Sequence, residues 1–155
     1  MEDSGYYKFV LPIIEEVQLH VSRGGSGLDF GCGHTPVLSN YLEREGYTVA
    51  VFDPIFHSDT SVLDESYDFI VCCEVVEHFY RPSEEFQNLF KLLRPQGKLI
   101  CKTHLYEKGI DFDQWYYKND PSHVFIYQDE TIYWIKNNYL IQDVKIENRV
   151  ITFSK

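Results

Sequence analysis

Leu28-Asp29-Phe30-Gly31-Cys32-Gly33-His34-Thr35-Pro36 decides the fold of this chain. A short apolar strand, Gly27–Phe30, carries an acid near its end and runs into two glycines one residue apart. Glycines permit a tight turn and let backbone N–H groups approach a ligand where a Cβ would intervene. Thr35 is placed to cap the next helix, and Pro36 suits that helix's first turn. Asp29, beside the glycines, would repel a dinucleotide phosphate and welcome a cationic amino-acid moiety. The stretch predicts a nucleotide-like cofactor with a positively charged end, held where a first strand meets a helix. A plain glycine-rich β-turn is the competing reading of these residues alone, because short glycine patterns carry little specificity.

On either side the chain alternates helix and strand. Tyr6 to Ser22 places Phe9, Val10, Ile13, Ile14, Val17 and Val21 at helical spacing, with Pro12 in its early part. Pro36–Arg44 reads as a helix stopped at Gly46, and Tyr47–Phe52 as a second strand ending at Asp53-Pro54. Tyr67–Cys73 is almost continuously apolar, as expected of a central parallel strand covered on both faces. Ser83 is expected to cap a helix through Leu93. Pro95-Gln96-Gly97 is expected to break the chain before a strand over Lys98–Thr103. Asp129–Asn138 reads as a last helix, and Leu140–Glu147 with Val150–Phe153 as an antiparallel pair joined around Asn148. The alternation predicts an α/β fold: a Rossmann-like, doubly wound, mostly parallel sheet ending in an antiparallel pair. Residues 1–155 are expected to form one domain, an N-terminal helical segment (1–26) on a core (27–155). Ligands of such sheets lie outside the C-terminal strand ends, so Asp29–His34, Asp53, Cys73–His78 and Thr103–Leu105 are the places to look.

Composition narrows the partners. The 155 residues are 44% hydrophobic and 16% aromatic, enough for a buried core and against disorder. The net charge of −10 opposes a nucleic-acid footprint, which needs a basic face, but leaves room for a small acceptor. No apolar run reaches the length of a membrane span, and the N-terminus lacks the order of a signal peptide. Cys32, Cys72, Cys73 and Cys101 show no Cys-x-x-Cys spacing and read as reduced thiols of a cytoplasmic protein.

A second group comes after the central strand: Glu74-Val75-Val76-Glu77-His78. If the segment turns helically, Glu74, Glu77 and His78 share a face and could offer a mixed oxygen and nitrogen set to a divalent metal. A polar helix start with Glu77 near the positive dipole end is the competing reading. His78, His104 (at the tip of the Cys101-Lys102-Thr103 strand) and His123 are the candidate general bases, imidazole being suited to neutral pH. Phe112-Asp113-Gln114-Trp115-Tyr116-Tyr117 offers flat area for an acceptor, or else a satellite cluster beneath a loop.

Taken together, Asp29-Phe-Gly-Cys-Gly33, Asp53, Tyr67-Asp68-Phe69-Ile70-Val71 and Leu92-Leu93-Arg94-Pro95-Gln96-Gly97-Lys98-Leu99 resemble the class I S-adenosylmethionine-dependent methyltransferases over nearly the whole chain. The resemblance implies S-adenosylmethionine as cofactor, bound by Asp29, Phe30, Gly31, Cys32 and Gly33 around its methionine part. It also implies that Asp53 and Pro54 lie at the ribose and Glu74 beside the glycine turn. Two departures stand out. Thr35 replaces the usual third glycine, and Pro54–Ser66 is too short for the family's usual second helix and third strand. Asp59 is the candidate for the acid that strand delivers to the adenine, with a solvated loop acid as the alternative.

Glu-x-x-Glu-His at this place resembles the metal-binding segment of the ubiquinone-biosynthesis and small-RNA 2′-O-methyltransferases. That resemblance implies a divalent cation (Mg, Mn or Zn) on Glu74, Glu77 and His78, with His123 as a fourth ligand. The expected function is O-methylation of a small-molecule acceptor. A nucleic-acid 2′-O-methyltransferase core, or a non-catalytic S-adenosylmethionine-binding module that needs a partner chain or oligomer, is the alternative.

Overall fold

A computed structural model describes residues 4–155; residues 1–3 of the expected N-terminal helical segment lie outside the described residues. The elements run α1 (Ser4–His20), β1 (Ser26–Phe30), α2 (Val37–Arg44), β2 (Thr48–Phe52), β3 (Tyr67–Cys73), α3 (Pro82–Leu92), β4 (Leu93–Lys102), α4 (Asp129–Asn138), β5 (Asp143–Glu147) and β6 (Val150–Ser154). They build one six-stranded sheet in the order β2-β1-β3-β4-β6-β5. The first four strands are parallel, and β6 joins β4 and β5 antiparallel. The chain leaves β1 for β2 on one side and crosses to β3 on the other, which opens a crevice at the C-terminal ends of β1 and β3.

Burial on both faces explains the apolar run of β3. Phe69 and Val71 meet Val10, Ile13 and Val17 of α1 and Leu38 and Leu42 of α2. Ile70 and Cys72 point the other way, into a cluster with Phe86, Leu89 and Phe90 of α3 and Ile132 and Ile135 of α4. Successive residues of a strand face opposite ways, so a strand sandwiched between helices must be apolar at both. The hairpin from β5 to β6 turns through Asn148 and Arg149 at φ 51° and 65°, the two left-handed residues that a two-residue hairpin loop requires.

Three local expectations need correction. Thr35 does not cap α2. Pro36 occupies the cap position, and the Thr35 hydroxyl lies 3.2 Å from His34 Nδ1 instead. Ser83 does not cap α3, because Pro82 starts the helix one residue earlier and Arg81 becomes the cap. Pro95-Gln96-Gly97 does not precede the strand but bulges within it. Leu93 already pairs with Tyr67, the register resumes at Phe69 with Lys98, and Gln96 takes φ 67° to absorb the excess. The short connection after β2 holds only a 3-10 turn, Thr60–Asp64, so β2 remains the sheet's edge.

Candidate active site

The glycine turn is hooked onto the end of β2. Phe52 O accepts from Gly31 N at 2.7 Å and from Cys32 N at 3.2 Å. Gly31 and Gly33 both take positive φ, 78° and 69°. Asp53 then clamps the turn: Oδ2 accepts from Gly33 N (3.1 Å), and Oδ1 from Ile55 N (2.9 Å) and Phe56 N (3.0 Å). Burial alone would raise this carboxyl, but the three amide donors outweigh it and hold it below its ordinary value. A bridge between Asp53 and His57 folds the connection back, and His57 Nε2 donates to His34 O at 3.2 Å. His57 thus straps the β2 connection to the glycine turn.

Beside this turn opens a cavity of about 1010 Å³. Its walls include Phe30, Gly31, Phe52, Asp53, Pro54, Ile55, Leu63, Glu74, Val75, His78 and Phe79, and it reaches Leu89 and Leu92 of α3. Of the expected cofactor residues, Phe30, Gly31, Asp53, Pro54 and Glu74 line it, whereas Asp29, Cys32, Gly33 and Asp59 do not. Asp29 is buried beneath the turn and accepts the Ser39 hydroxyl of α2 at 2.7 Å. Burial pushes its carboxyl up to about 6 despite that hydrogen bond. Asp59 is exposed and caps the 3-10 turn through Ser61 N at 2.9 Å. Leu63 of the same turn reaches the wall in its place. The residues fit S-adenosylmethionine on three counts. The volume is at the upper end of ordinary small-ligand pockets. The glycine turn reaches the wall through Gly31, whose backbone lies so close to Val75 that a Cβ has no room. With three of about four acceptor positions of Asp53 filled by amides, one is left for a hydroxyl.

The segment after β3 departs from a helix. Glu74 takes φ 54° and donates its N–H to Lys102 O at 2.8 Å, so helical geometry begins only with the 3-10 turn Val76–His78. The expected shared face of Glu74, Glu77 and His78 is therefore not formed. Glu77, His78 and His123 converge instead, with ligand atoms within 4.8 Å of one another, and Glu74 stays outside that group. Burial first, then the Glu77 carboxylate, pushes Glu74 up to about 7. Its Oε1 has no hydrogen-bond partner, and Arg149 Nη2 of the hairpin turn stands 3.8 Å away.

Glu77 is fully buried and doubly held. Oε1 accepts the Tyr117 hydroxyl at 2.8 Å, and Oε2 accepts the Thr103 hydroxyl at 3.1 Å. Both histidines donate Nδ1–H to a backbone carbonyl, His78 to Ser122 O (2.9 Å) and His123 to Tyr117 O (2.6 Å). A carbonyl only accepts, so each neutral ring keeps Nε2 as its bare acceptor, the arrangement typical of metal-ligating histidines. The turn Asp120–His123, closed by His123 N donating to Asp120 O at 3.1 Å, brings His123 to Glu77 and His78. Asp120 Oδ2 lies 3.6 Å from His123 Nε2. Glu77, His78 and His123 are the residues that would hold a divalent cation here, as one carboxylate and two imidazoles. The donor set fits a divalent cation.

His104 stands apart from this group. Its Nδ1 is 3.4 Å from the Tyr116 hydroxyl, and burial, then the Arg149 charge, lowers its pKa. Trp115 and Tyr117 are buried within the loop's aromatic cluster, and Tyr116 alone of the three is exposed. Sequence reasoning missed Thr103 and Tyr117 as the partners of Glu77, and His57 as the strap. Thr103 carried a signal, being the residue just past a strand end of the sheet's ligand edge.

The methyltransferase-domain family model matches residues 7–139. A ubiquinone biosynthesis O-methyltransferase of Rickettsia bellii is 28% identical over 115 residues, 59% of this chain and 48% of that protein. Its counterpart in Rickettsia akari is 27% identical over 116 residues, 59% of this chain and 46% of that protein. The chain therefore spans about half the length of the curated relatives it matches. Among solved structures, the Burkholderia thailandensis 1,6-didemethyltoxoflavin-N1-methyltransferase with bound S-adenosylhomocysteine superposes with a TM-score of 0.70 at 13% identity, covering 95% of this chain and 78% of that one. The Synechocystis magnesium protoporphyrin IX methyltransferase gives 0.64 at 13%, covering 97% and 84%. The chain belongs to the methyltransferase-domain family, and its fold is that of the Rossmann-like S-adenosylmethionine-dependent methyltransferases.

Proposed function

We propose that this protein transfers the methyl group of S-adenosylmethionine to an oxygen of a small-molecule acceptor, with a divalent cation on Glu77, His78 and His123. One observation carries the reading: His78 belongs both to the wall of the cofactor cavity and to the group of three ligands. An acceptor hydroxyl held at that group would stand next to the cavity's reactive end. The cofactor supplies the activated methyl group, and a cation of this kind lowers the pKa of a hydroxyl bound to it.

The protein's own contribution is alignment. Methyl transfer is an in-line displacement, so fixing nucleophile and methyl carbon in one geometry accounts for much of the acceleration. Gly31 lets the turn lie close to Val75, Asp53 offers its remaining acceptor position to a ribose hydroxyl, and Phe30, Phe52 and Phe79 supply apolar wall. Glu74 lines the cavity, with the Arg149 guanidinium 3.8 Å away. Two imidazoles and one carboxylate favour Mn²⁺ or Zn²⁺ over Mg²⁺, which prefers an all-oxygen shell. His104 is the remaining candidate base, at the aromatic side of the acceptor space. The net charge of −10 supports a small acceptor over a nucleic acid.

Titration calorimetry with S-adenosylmethionine, with and without each cation, tests this reading together with methyl transfer to catechol-type hydroxyls. Saturable cofactor binding and cation-dependent transfer are expected. Absence of cofactor binding at millimolar ligand overturns the enzyme reading. Unchanged cation affinity in Glu77→Ala and His123→Ala overturns the metal reading alone.

A further inference from the structure

We infer that Tyr117 is the positioning residue of the ligand group, setting the geometry of two of its three members at once. The inference rests on the metal reading above and goes beyond it, since it assigns a role to a residue that neither touches an ion nor lines the cofactor cavity.

Tyr117 uses two different atoms. Its hydroxyl donates to Glu77 Oε1 at 2.8 Å, and its backbone carbonyl accepts from His123 Nδ1 at 2.6 Å. The same ring lies 4.2 Å, centroid to centroid, from the His123 imidazole. One residue therefore fixes which Glu77 oxygen is engaged, the tautomer of His123 and the rotation of that ring. Only 3% of Tyr117 is exposed, and it stacks on Trp115 with centroids 5.1 Å apart, so its own position is set by the core of the loop.

The hydroxyl is itself held. Thr103 Oγ1 lies 2.8 Å from it, and the His104 N–H donates to it at 3.4 Å. Three short oxygen contacts link Tyr117, Thr103 and Glu77, but the two hydroxyls bring only two protons. An ionised Glu77 only accepts, so at least one proton must go to it, and the Tyr117 phenol is the closer donor. A carboxylate tied this way keeps its remaining lone pairs aimed in one direction, which is what a ligand to a cation needs. A buried hydrogen bond to a carboxylate is stronger than one in water and restrains the group that accepts it. Partners that orient metal ligands in this way typically change metal affinity 10–100-fold on removal.

Tyr117→Phe removes the hydroxyl and leaves the ring, the stack on Trp115 and the carbonyl that holds His123. The test is titration of the full chain with MnCl₂ or ZnCl₂ alone, without cofactor or acceptor. It is paired with the visible spectrum of the Co²⁺-loaded protein, which reports ligand geometry. Tyr117→Phe is expected to bind the cation about 10–100-fold more weakly and to shift the Co²⁺ bands, with S-adenosylhomocysteine affinity unchanged. Tyr116→Phe, at the exposed neighbour, is the control and should match the wild type. Wild-type cation affinity and an unshifted spectrum in a folded Tyr117→Phe overturn this inference and leave the metal reading intact. A wild type without saturable cation binding overturns both. If Tyr117→Phe is poorly folded, Thr103→Val supplies the second variant. It leaves Tyr117 as the one hydroxyl donor to Glu77, so near-wild-type cation affinity is expected, and a loss of about 10–100-fold there overturns the inference.

Discussion

Gly31→Ala should cost this protein far more than Gly33→Ala, although the two glycines look equivalent in sequence and both have positive φ. At Gly33 a methyl group meets nothing within 4 Å, so only the left-handed backbone is charged against it. That cost is about 1–2 kcal/mol, offset in part by the ~0.4–1 kcal/mol gained from a less flexible unfolded chain. At Gly31 the same backbone term applies, but the new Cβ would sit 2.5 Å and 2.8 Å from the two Val75 methyl carbons. Neither methyl can leave, because Val75 precedes the 3-10 turn that carries Glu77 and His78. Overpacking of this kind adds about 1–3 kcal/mol, for a total of about 1–5 kcal/mol. Urea unfolding of the two single variants, of Val75→Ala and of Gly31→Ala/Val75→Ala closes a double-mutant cycle. The coupling between positions 31 and 75 should be ~1–3 kcal/mol in the sense of relief, well above the ~0.5 kcal/mol additivity error. Because Val75 lines the cavity, Gly31→Ala should also weaken S-adenosylhomocysteine binding, and the double variant should regain part of it. Equal costs for Gly31→Ala and Gly33→Ala, or a coupling within error of zero, would refute the steric account of the turn.

Asp29 gives a pH prediction with a definite sign. Its folded pKa is raised to about 6 from 3.8, so it favours the folded state below pH 4 and loses that contribution as pH rises through 6. The 2.2-unit difference corresponds to ~3 kcal/mol at 1.36 kcal/mol per unit. Asp29→Asn, still able to accept the Ser39 hydroxyl, should gain on the wild type across that window and hold the gain at pH 8. A wild-type-minus-variant stability difference that stays flat from pH 4 to 8 counts against it. Asp53→Ala strips the acceptor from the amides of Gly33, Ile55 and Phe56. Thermal melts should show a loss of about 1–3 kcal/mol, and calorimetry at least tenfold weaker S-adenosylhomocysteine binding. Melting and affinity both at wild-type level would mean the clamp does not hold the turn.

How much of the fold and site is legible in the sequence depends on whether an element states its own conformation. The run Tyr67–Cys73 and the helix Asp129–Asn138 announce their bounds, because their side-chain pattern is set by the faces they must bury. The glycine turn is legible for a similar reason: few residues besides glycine tolerate φ near 78° and 69°. Glu74-Val75-Val76-Glu77-His78 is legible as a site but not in shape. Nothing local tells that Glu74 will take φ 54°, since that conformation is imposed by its N–H reaching Lys102 O on the neighbouring strand. Tyr117 and Thr103 are hidden for a related reason. They sit 40 and 26 residues from Glu77 in sequence, and only the sheet and its loops bring them to its carboxylate.

The shortened connection after β2 alters how the base end of the cofactor can be recognised. Longer connections add a strand beyond β2, but here the chain returns at once. The pair Asp53 and His57 closes a tight bridge, and His57 reaches back to His34 O. That strap stiffens the glycine turn from the edge side, a job a further strand would otherwise share. The rest of the connection is left to line the cavity without an acid. Asp59 is spent on Ser61 N as a cap and stays in solvent, while Leu63, Ile55 and Phe52 face the cavity. On the proposed reading the adenine then rests against apolar side chains of the connection, and the acid and amide nearest on the α3 wall of the cavity are Glu85 and Asn88. Apolar contact discriminates bases poorly, since what strongly rejects an analogue is a buried polar group left unpaired. On that reading polar selectivity for the cofactor falls to groups outside Pro54–Ser66: Asp53 and Glu74 beside the glycine turn, and Glu85 and Asn88 on the α3 wall.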